Sequence, residues 1–417
     1  DASGASGGSL LIGGDYQGGN GDKKFSIEPV ANAFTTAVAA GAALKADGTS
    51  GDGGTIVVWS DDLTIFAGAI SATGANGGTG GFAEVSGHRL LDFTGTANLS
   101  GPGGAGTLLL DPEDITISSG ANAGGTLSNG TFTPAADNSI LNVTTLQTAL
   151  ASANVIVTTG GAGSSGTQAG DITVADAVIW SSANSLTLDA YRNIAVNANL
   201  TNSGGAAVSL RADNSGIGTG TVTFTGGTVS TSGVVSIVYN PVGNVNSTVN
   251  ATSYTTPTNY TSNVAGGAAL TSYMLVNTVF DLQNVQNGLS GAYALGRDID
   301  ASGTASWNSD AGFYPIGDST TKFTGKFDGL GRFISGLTIN RPSSDVVGLF
   351  GASSGTISNI GLVGGSVTGQ YAVGGLVGSQ VSGTISNAYT TGLVSGTMNE
   401  VGGLVGNLMS GTIRNSY

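Results

Sequence analysis

The sequence predicts an all-β chain wound as a right-handed parallel β-helix, a solenoid with short helical and loop insertions, and three observations carry that expectation. Charged residues make up 9% of the 417, while Gly supplies 72 and Pro 8. Soluble chains carry about 25% charge, and so poor a supply leaves little to solvate exposed helices, whereas Gly, Ser, Thr, Asn, Val and Ile suit short strands and turns. The tail repeats itself: Leu349, Leu376 and Leu404 share one phase, Ile357, Ile385 and Ile413 another, and Asn359, Asn387 and Asn415 a third, at a spacing of 28 residues with one step of 27. A unit of that size cannot bury its apolar face alone and must stack on its neighbours. Apolar alternation also recurs upstream in "GTIVVW", "GTLLL", "ITIS" and "TVTF", as in half-buried strands, and parallel crossovers are right-handed by default. Disorder is opposed by 39% hydrophobic residues and a mean hydropathy of +0.19.

Taken in chain order, rungs are expected from Gly7 to Tyr417, forming a rod. "TTLQTALASA", 144 to 153, sets Leu146 and Leu150 at i,i+4 behind a Thr cap and predicts a short helix. "SLTLDA" and "AVSLRA" place Leu186 over Val208 and Leu188 over Leu210 at a 22-residue rung. Between 241 and 263 the alternation fades, which marks a loop or boundary. "TVFDLQNVQNGLSG", 278 to 291, carries Val279, Leu282, Val285 and Leu289 at helical spacing. Each 28-residue rung of the tail has room for three short strands, with Gly374 and Gly375 at a corner that needs positive φ, and with the stacked Asn amides hydrogen-bonding along the axis.

Twelve Lys and Arg against 26 Asp and Glu give a net charge of −14, which repels nucleic acid and anionic lipid and argues against either as a partner. The chain has no Cys and no apolar run of membrane-spanning length. It begins at Asp1 and breaks off inside a repeat at Tyr417. A piece of a longer protein is therefore expected, with a last rung whose open edge favours end-to-end self-association.

Several stretches are familiar. "GGTIVVWSDDLTIFAGAISATG", "GGFAEVSGHRLLDFTG" and "GTLLLDPEDITIS" resemble the β-helical stem of filamentous-haemagglutinin-like exoproteins, adhesins exported by two-partner secretion. "VGLFG", "VGGLVG" and "GTISN" resemble the GLUG repeat family, and "YALGRDIDAS", "FYPIG" and "FTGKFDGLGRFISGLTI" look like the segment that introduces it. The resemblance divides the chain into a haemagglutinin-like stem (1–118), further rungs with the helix near 144–153 (119–240), a loop or boundary (241–277), the introducing segment (278–345) and GLUG-type repeats (346–417). It implies a Gram-negative extracellular or outer-membrane-surface location, an outer-membrane two-partner-secretion transporter as partner of the full-length protein, and a host or bacterial surface receptor or glycan as target.

Chemistry has few residues to draw on. His88 is the single histidine and there is no HExxH, so Ser-His-Asp and zinc-peptidase catalysis are not expected. Asp298, Asp300, Asp310, Asp318 and Asp328, together with Arg297, are the candidates for the paired carboxylates that a β-helical lyase or glycosidase would need; Asp298 and Asp300, at i,i+2, are also weak calcium-ligand candidates and otherwise cap turns. Trp307, Phe313, Tyr314, Phe323, Phe327 and Phe333 cluster in sequence, mostly as expected core, with Trp307 and Tyr314 the candidates for glycan stacking. Seven Asn-x-Ser/Thr sequons include Asn246, Asn250 and Asn259 in the fading stretch, the candidate glycosylation sites. The sequence-based expectation is a secreted, non-enzymatic structural and adhesive protein without a cofactor; a carbohydrate-active lyase or hydrolase, or a self-assembling filament subunit, are the alternatives.

Overall fold

The computed structural model describes residues 1–19, 25, 30–111, 114–121, 139–159, 169–241 and 247–417, and the backbone of 125–128 and 131–134. The chain is an all-β parallel solenoid that forms two compact units. One comprises Asp1–Asn214, Gly220–Ile237 and Tyr260–Thr271; the other comprises Ser215–Thr219, Val238–Asn259 and Ser272–Tyr417.

In the first unit the strands Ser9–Ile12, Thr55–Ser60, Phe82–Gly87, Thr107–Asp111, Asn154–Thr159, Leu186–Ala190 and Val208–Arg211 pair in parallel, each with its equivalent one rung away. Register puts Leu186 beside Val208 and Leu188 beside Leu210, as the 22-residue spacing predicts. Alternate residues point inward, so Ile56, Val58, Ala83, Val85, Leu108, Leu110, Val155 and Val157 are all buried. Each such Val, Leu or Ile contributes about 1.5–3 kcal/mol of burial. Further parallel ladders turn the corners; in one, Phe66 lies in register with Phe93, their rings stacked at 5.5 Å. The helix Val143–Leu150 buries Leu146 and Leu150 as expected. Its cap is Asn142 rather than a Thr: the Asn142 side chain accepts the Thr144 N–H at 2.8 Å. Thr144 and Thr145 already lie inside the helix as its second and third residues, so the cap position and its free side-chain oxygen fall to Asn142.

In the second unit residues 274–276, 292–294, Lys326–Asp328, Thr356–Ser358, Thr384–Ser386 and Thr412–Arg414 form one ladder. A single register position reads Met274, Tyr293, Phe327, Ile357, Ile385, Ile413. The aromatic cluster is largely core: Phe313, Phe323 and Phe327 are buried, and Phe323 and Phe327 pack on Phe350 with centroids 4.9 and 5.4 Å apart. The rung expected to hold three strands holds five: Val373–Gly374, Val377–Gln380, Thr384–Ser386, Tyr389–Thr390 and Leu393–Gly396. Gly374 and Gly375 do not adopt positive φ. They are Gly because the backbone crowds there, within the turn and between rungs: a Cβ on Gly374 would sit 2.1 Å from the Val377 carbonyl oxygen of its own rung and 2.6 Å from the Gly406 nitrogen of the next, and one on Gly375 2.5 Å from the Gly403 carbonyl oxygen. The positive φ belongs instead to the stacked asparagines, 54° at Asn359, 50° at Asn387 and 49° at Asn415. Their amides form the expected ladder. Asn415 donates to Asn387 at 3.2 Å, Asn387 to Asn359 at 2.9 Å, and Asn359 to the Asp328 carboxylate at 2.9 Å.

Replacing Asn387 tests both contributions. Asn387→Gly keeps the left-handed backbone and loses the amide bonds, costing about 1 kcal/mol. Asn387→Ala loses the bonds and adds about 1 kcal/mol of backbone strain. Urea melts should therefore rank parent above Gly above Ala, and an Ala variant as stable as the Gly variant would remove the strain argument.

Candidate functional site

The second unit carries an open cleft of about 570 Å³. Its floor is the helix Val279–Asn284 and the 3-10 turn Val285–Gly288 that continues it. The sequence starts this helix firmly: Thr278 Oγ1 accepts the Asp281 N–H, and the Asp281 carboxylate accepts the Thr278 N–H, each at 3.1 Å. Leu282 and Val285 are fully buried, which leaves the amide side chains of "QNVQN" on the other faces. The α-helix ends earlier than the 278–291 expectation, because the chain tightens into the 3-10 turn and stops at Gly288.

Those amides hold both walls. On one side Gln283 Nε2 donates to the Tyr314 carbonyl at 3.0 Å while its Oε1 accepts the Tyr314 N–H at 2.9 Å, and Gln286 Oε1 accepts the Gly317 N–H at 2.6 Å. On the other, Asn284 Oδ1 accepts the Asn250 N–H at 2.7 Å and its Nδ2 donates to the Thr248 carbonyl at 3.2 Å, while Asn287 Nδ2 donates to the Asn250 carbonyl at 2.9 Å. Val249 and Ala251 complete that wall.

Trp307 and Tyr314, distant in role from the buried phenylalanines, both line this cleft. The Trp307 ring packs on Phe280 at 5.2 Å and Phe313 at 6.3 Å. Tyr314 is 49% exposed, with the Arg341 guanidinium 4.6 Å from its ring centroid. Asn308 stands beside them, its Nδ2 donating to the Gly312 carbonyl at 2.7 Å. The described residues lining the cleft are amide, aromatic and aliphatic side chains.

The aspartates serve the backbone. Asp298 accepts the Phe333 N–H at 2.9 Å, Asp300 the Ser302 N–H at 2.9 Å, Asp318 those of Thr320 and Thr321 at 2.8 and 2.6 Å, and Asp328 that of Leu330 at 2.9 Å. The Ser302 amide and hydroxyl hold the Asp300 carboxyl below its usual range. Among the described residues no three His, Asp or Glu side chains converge on a metal position. Of the candidate glycosylation sites, Asn246 lies outside the described residues, Asn259 is exposed, and Asn250 is half-buried with its side-chain oxygen accepting from the Thr252 N–H at 3.0 Å and hydroxyl at 2.9 Å. His88 is half-buried, its ring 5.9 Å from that of Trp59.

The amide row Gln283, Asn284, Gln286, Asn287 was not singled out by sequence reading, although its i, i+3 and i+4 spacing places the amides along one side of a helix. Also missed was an acidic layer on the first unit. Glu84 points away from the solenoid core yet is fully buried, its two oxygens each 3.2 Å from the Gln17 N–H and one 2.7 Å from the Ser86 hydroxyl. Burial first, and then the Asp15 charge, push its carboxyl up to about 7 against the opposing Ser86 and Gln17 bonds. Burial, with the charges of Glu84 and Asp189, likewise pushes Asp111 well above the carboxylate range.

Two curated proteins match parts of the chain. Halomucin of Haloquadratum walsbyi is 36% identical over 182 residues, which is 39% of this chain and 2% of halomucin. A putative Gly-rich membrane protein of Evansella cellulosilytica is 31% identical over 153 residues, 35% of this chain and 16% of that protein. The chain thus spans a small part of the length of either relative. No family model matches it. Among the described residues no helix is long and apolar enough to cross a membrane.

Proposed function

We propose that the chain is a structural segment of a secreted or cell-surface protein, a stack of rungs that displays binding surfaces away from the cell and catalyses no reaction. The observation that carries this reading is the in-register ladder itself, in which Ile357, Ile385 and Ile413 and their three asparagines repeat side by side. Such a stack grows by addition of equivalent units and devotes its polar residues to its own backbone, as Asp298, Asp300, Asp318 and Asp328 do. Partial similarity to halomucin and to a putative membrane protein supports the cell-surface side. The finer reading is an adhesin of the filamentous-haemagglutinin type ending in GLUG-type repeats, delivered by a two-partner-secretion transporter across an outer membrane.

Protease shaving of intact source cells tests the location. Peptides from this chain should be released without lysis; peptides recovered only from broken cells would overturn the surface reading. Deleting the two-partner-secretion transporter genes of the source cell should leave the chain inside the cell if the secretion route is right.

A further inference from the structure

The cleft over the helix Val279–Asn284 has unspent hydrogen-bonding capacity beside an open ring. Gln286 uses its oxygen on Gly317, and its Nε2 meets no protein acceptor among the described residues. Asn287 and Asn308 are the converse: each spends its nitrogen on a backbone carbonyl, and each Oδ1 is left to the cleft. Donor and acceptor are thus both present, and none carries charge. One face of Tyr314 is taken by Arg341, so its 49% exposure lies on the opposite face and the hydroxyl edge. Gln283 clamps the Tyr314 backbone from both sides of its peptide, so the ring stands on a fixed mount.

Ligand classes separate on these features. An apolar ligand would strip water from the amides without replacing their bonds, at a cost. An anionic ligand would meet no cation among the lining residues, the Arg341 guanidinium being engaged on the other face of the Tyr314 ring, and would face a chain of net charge −14. A ligand with an apolar C–H face and many neutral hydroxyls satisfies ring and amides together. The volume of about 570 Å³ lies in the range of small-molecule clefts, about 300–1,000 Å³. We propose that this cleft binds a neutral oligosaccharide, with Tyr314 as the stacking platform, Gln286 donating to a sugar hydroxyl, and Asn287 and Asn308 accepting from others. Such binding gives the adhesive reading its ligand, and rests on that reading for where the ligand is met.

The test is titration of the whole 417-residue chain with short cello-, malto-, xylo-, manno- and chito-oligosaccharides, and with oligogalacturonate as the acidic comparison, read by calorimetry and tryptophan fluorescence. At least one neutral series should bind saturably and oligogalacturonate should not. Tyr314→Ala should weaken that binding by about tenfold or more, Tyr314→Phe should largely keep it, and Gln286→Ala should weaken it less than Tyr314→Ala. Far-UV circular dichroism identical to the parent shows that the exposed Tyr314 was changed without loss of fold. Overturning results are no saturable binding by any neutral series, equal binding of oligogalacturonate, or binding unchanged in Tyr314→Ala. Shaving of intact cells reads out separately: a chain that binds sugar but stays inside the cell fails the surface proposal alone, and a surface chain blind to every sugar fails this one alone.

Discussion

Ile385→Asp unfolds the rungs around it. Ile385 is fully buried and sits in register between Ile357 and Ile413, with Phe327 one rung further. Removing its side chain alone costs about 2–5 kcal/mol. A carboxylate in that position adds several kcal/mol more, because the neighbours above and below are aliphatic and offer it no donor. Ile385→Val keeps the shape and should cost about 1 kcal/mol. Hydrogen exchange gives the cleanest measurement: amides of residues 346–417 should lose protection in the Asp variant while those of the first unit keep it. Protection of Ile357 and Ile413 at the parental level in Ile385→Asp would mean that the stack does not carry the stability of this region.

Acidification stabilises the first unit through Glu84. Its carboxyl titrates near 7 when folded, against an ordinary 4.5. Between these values the folded chain holds a proton that the unfolded chain has released, so stability falls as pH rises through the window and levels off above it. The difference amounts to about 3 kcal/mol, gained on going from pH 8 to below 4.5. Asp111, also pushed upward, adds to the same slope. Glu84→Gln keeps an oxygen for the Ser86 hydroxyl and the Gln17 N–H and has no charge to bury. At pH 8 the variant should melt several degrees above the parent; near pH 4.5 the two should converge. Parallel stability curves across that range would show that Glu84 is not buried as an acid.

The stacking was legible because a parallel solenoid sets equal residues side by side, so Ile357, Ile385 and Ile413 announce their contact by spacing alone. The Asn ladder was legible for the same reason, and so was the 22-residue step from Leu186 to Val208. What spacing does not carry is crowding between rungs. Gly374 and Gly375 look like any turn pair, and only the approach of Gly406 and Gly403 from the next rung tells why no Cβ fits. Nor does spacing reveal what covers an outward face: Glu84 alternates as a solvent residue should, and is buried because residues near Gln17 lie over it. At the cleft, Trp307 and Tyr314 were named as stacking candidates within an aromatic cluster expected to be mostly core, while the Gln283 amide that mounts Tyr314 was hidden inside an apolar helix pattern read for Leu282 and Val285.

The Asn ladder also bears on heredity. Asn387 gives one hydrogen bond to the rung before it and takes one from the rung after, in the same geometry at which Asn359 and Asn415 meet it. A 28-residue word copied or lost whole by unequal crossing-over therefore leaves every remaining asparagine with the partners it had, and every isoleucine with the same neighbours. Whole words can thus be added or removed without changing the kind of neighbour any side chain meets, whereas a change of another size has to be absorbed in a turn between strands, as it is where Phe350 pairs with Val377 and Ser366 with Leu393 at 27 residues.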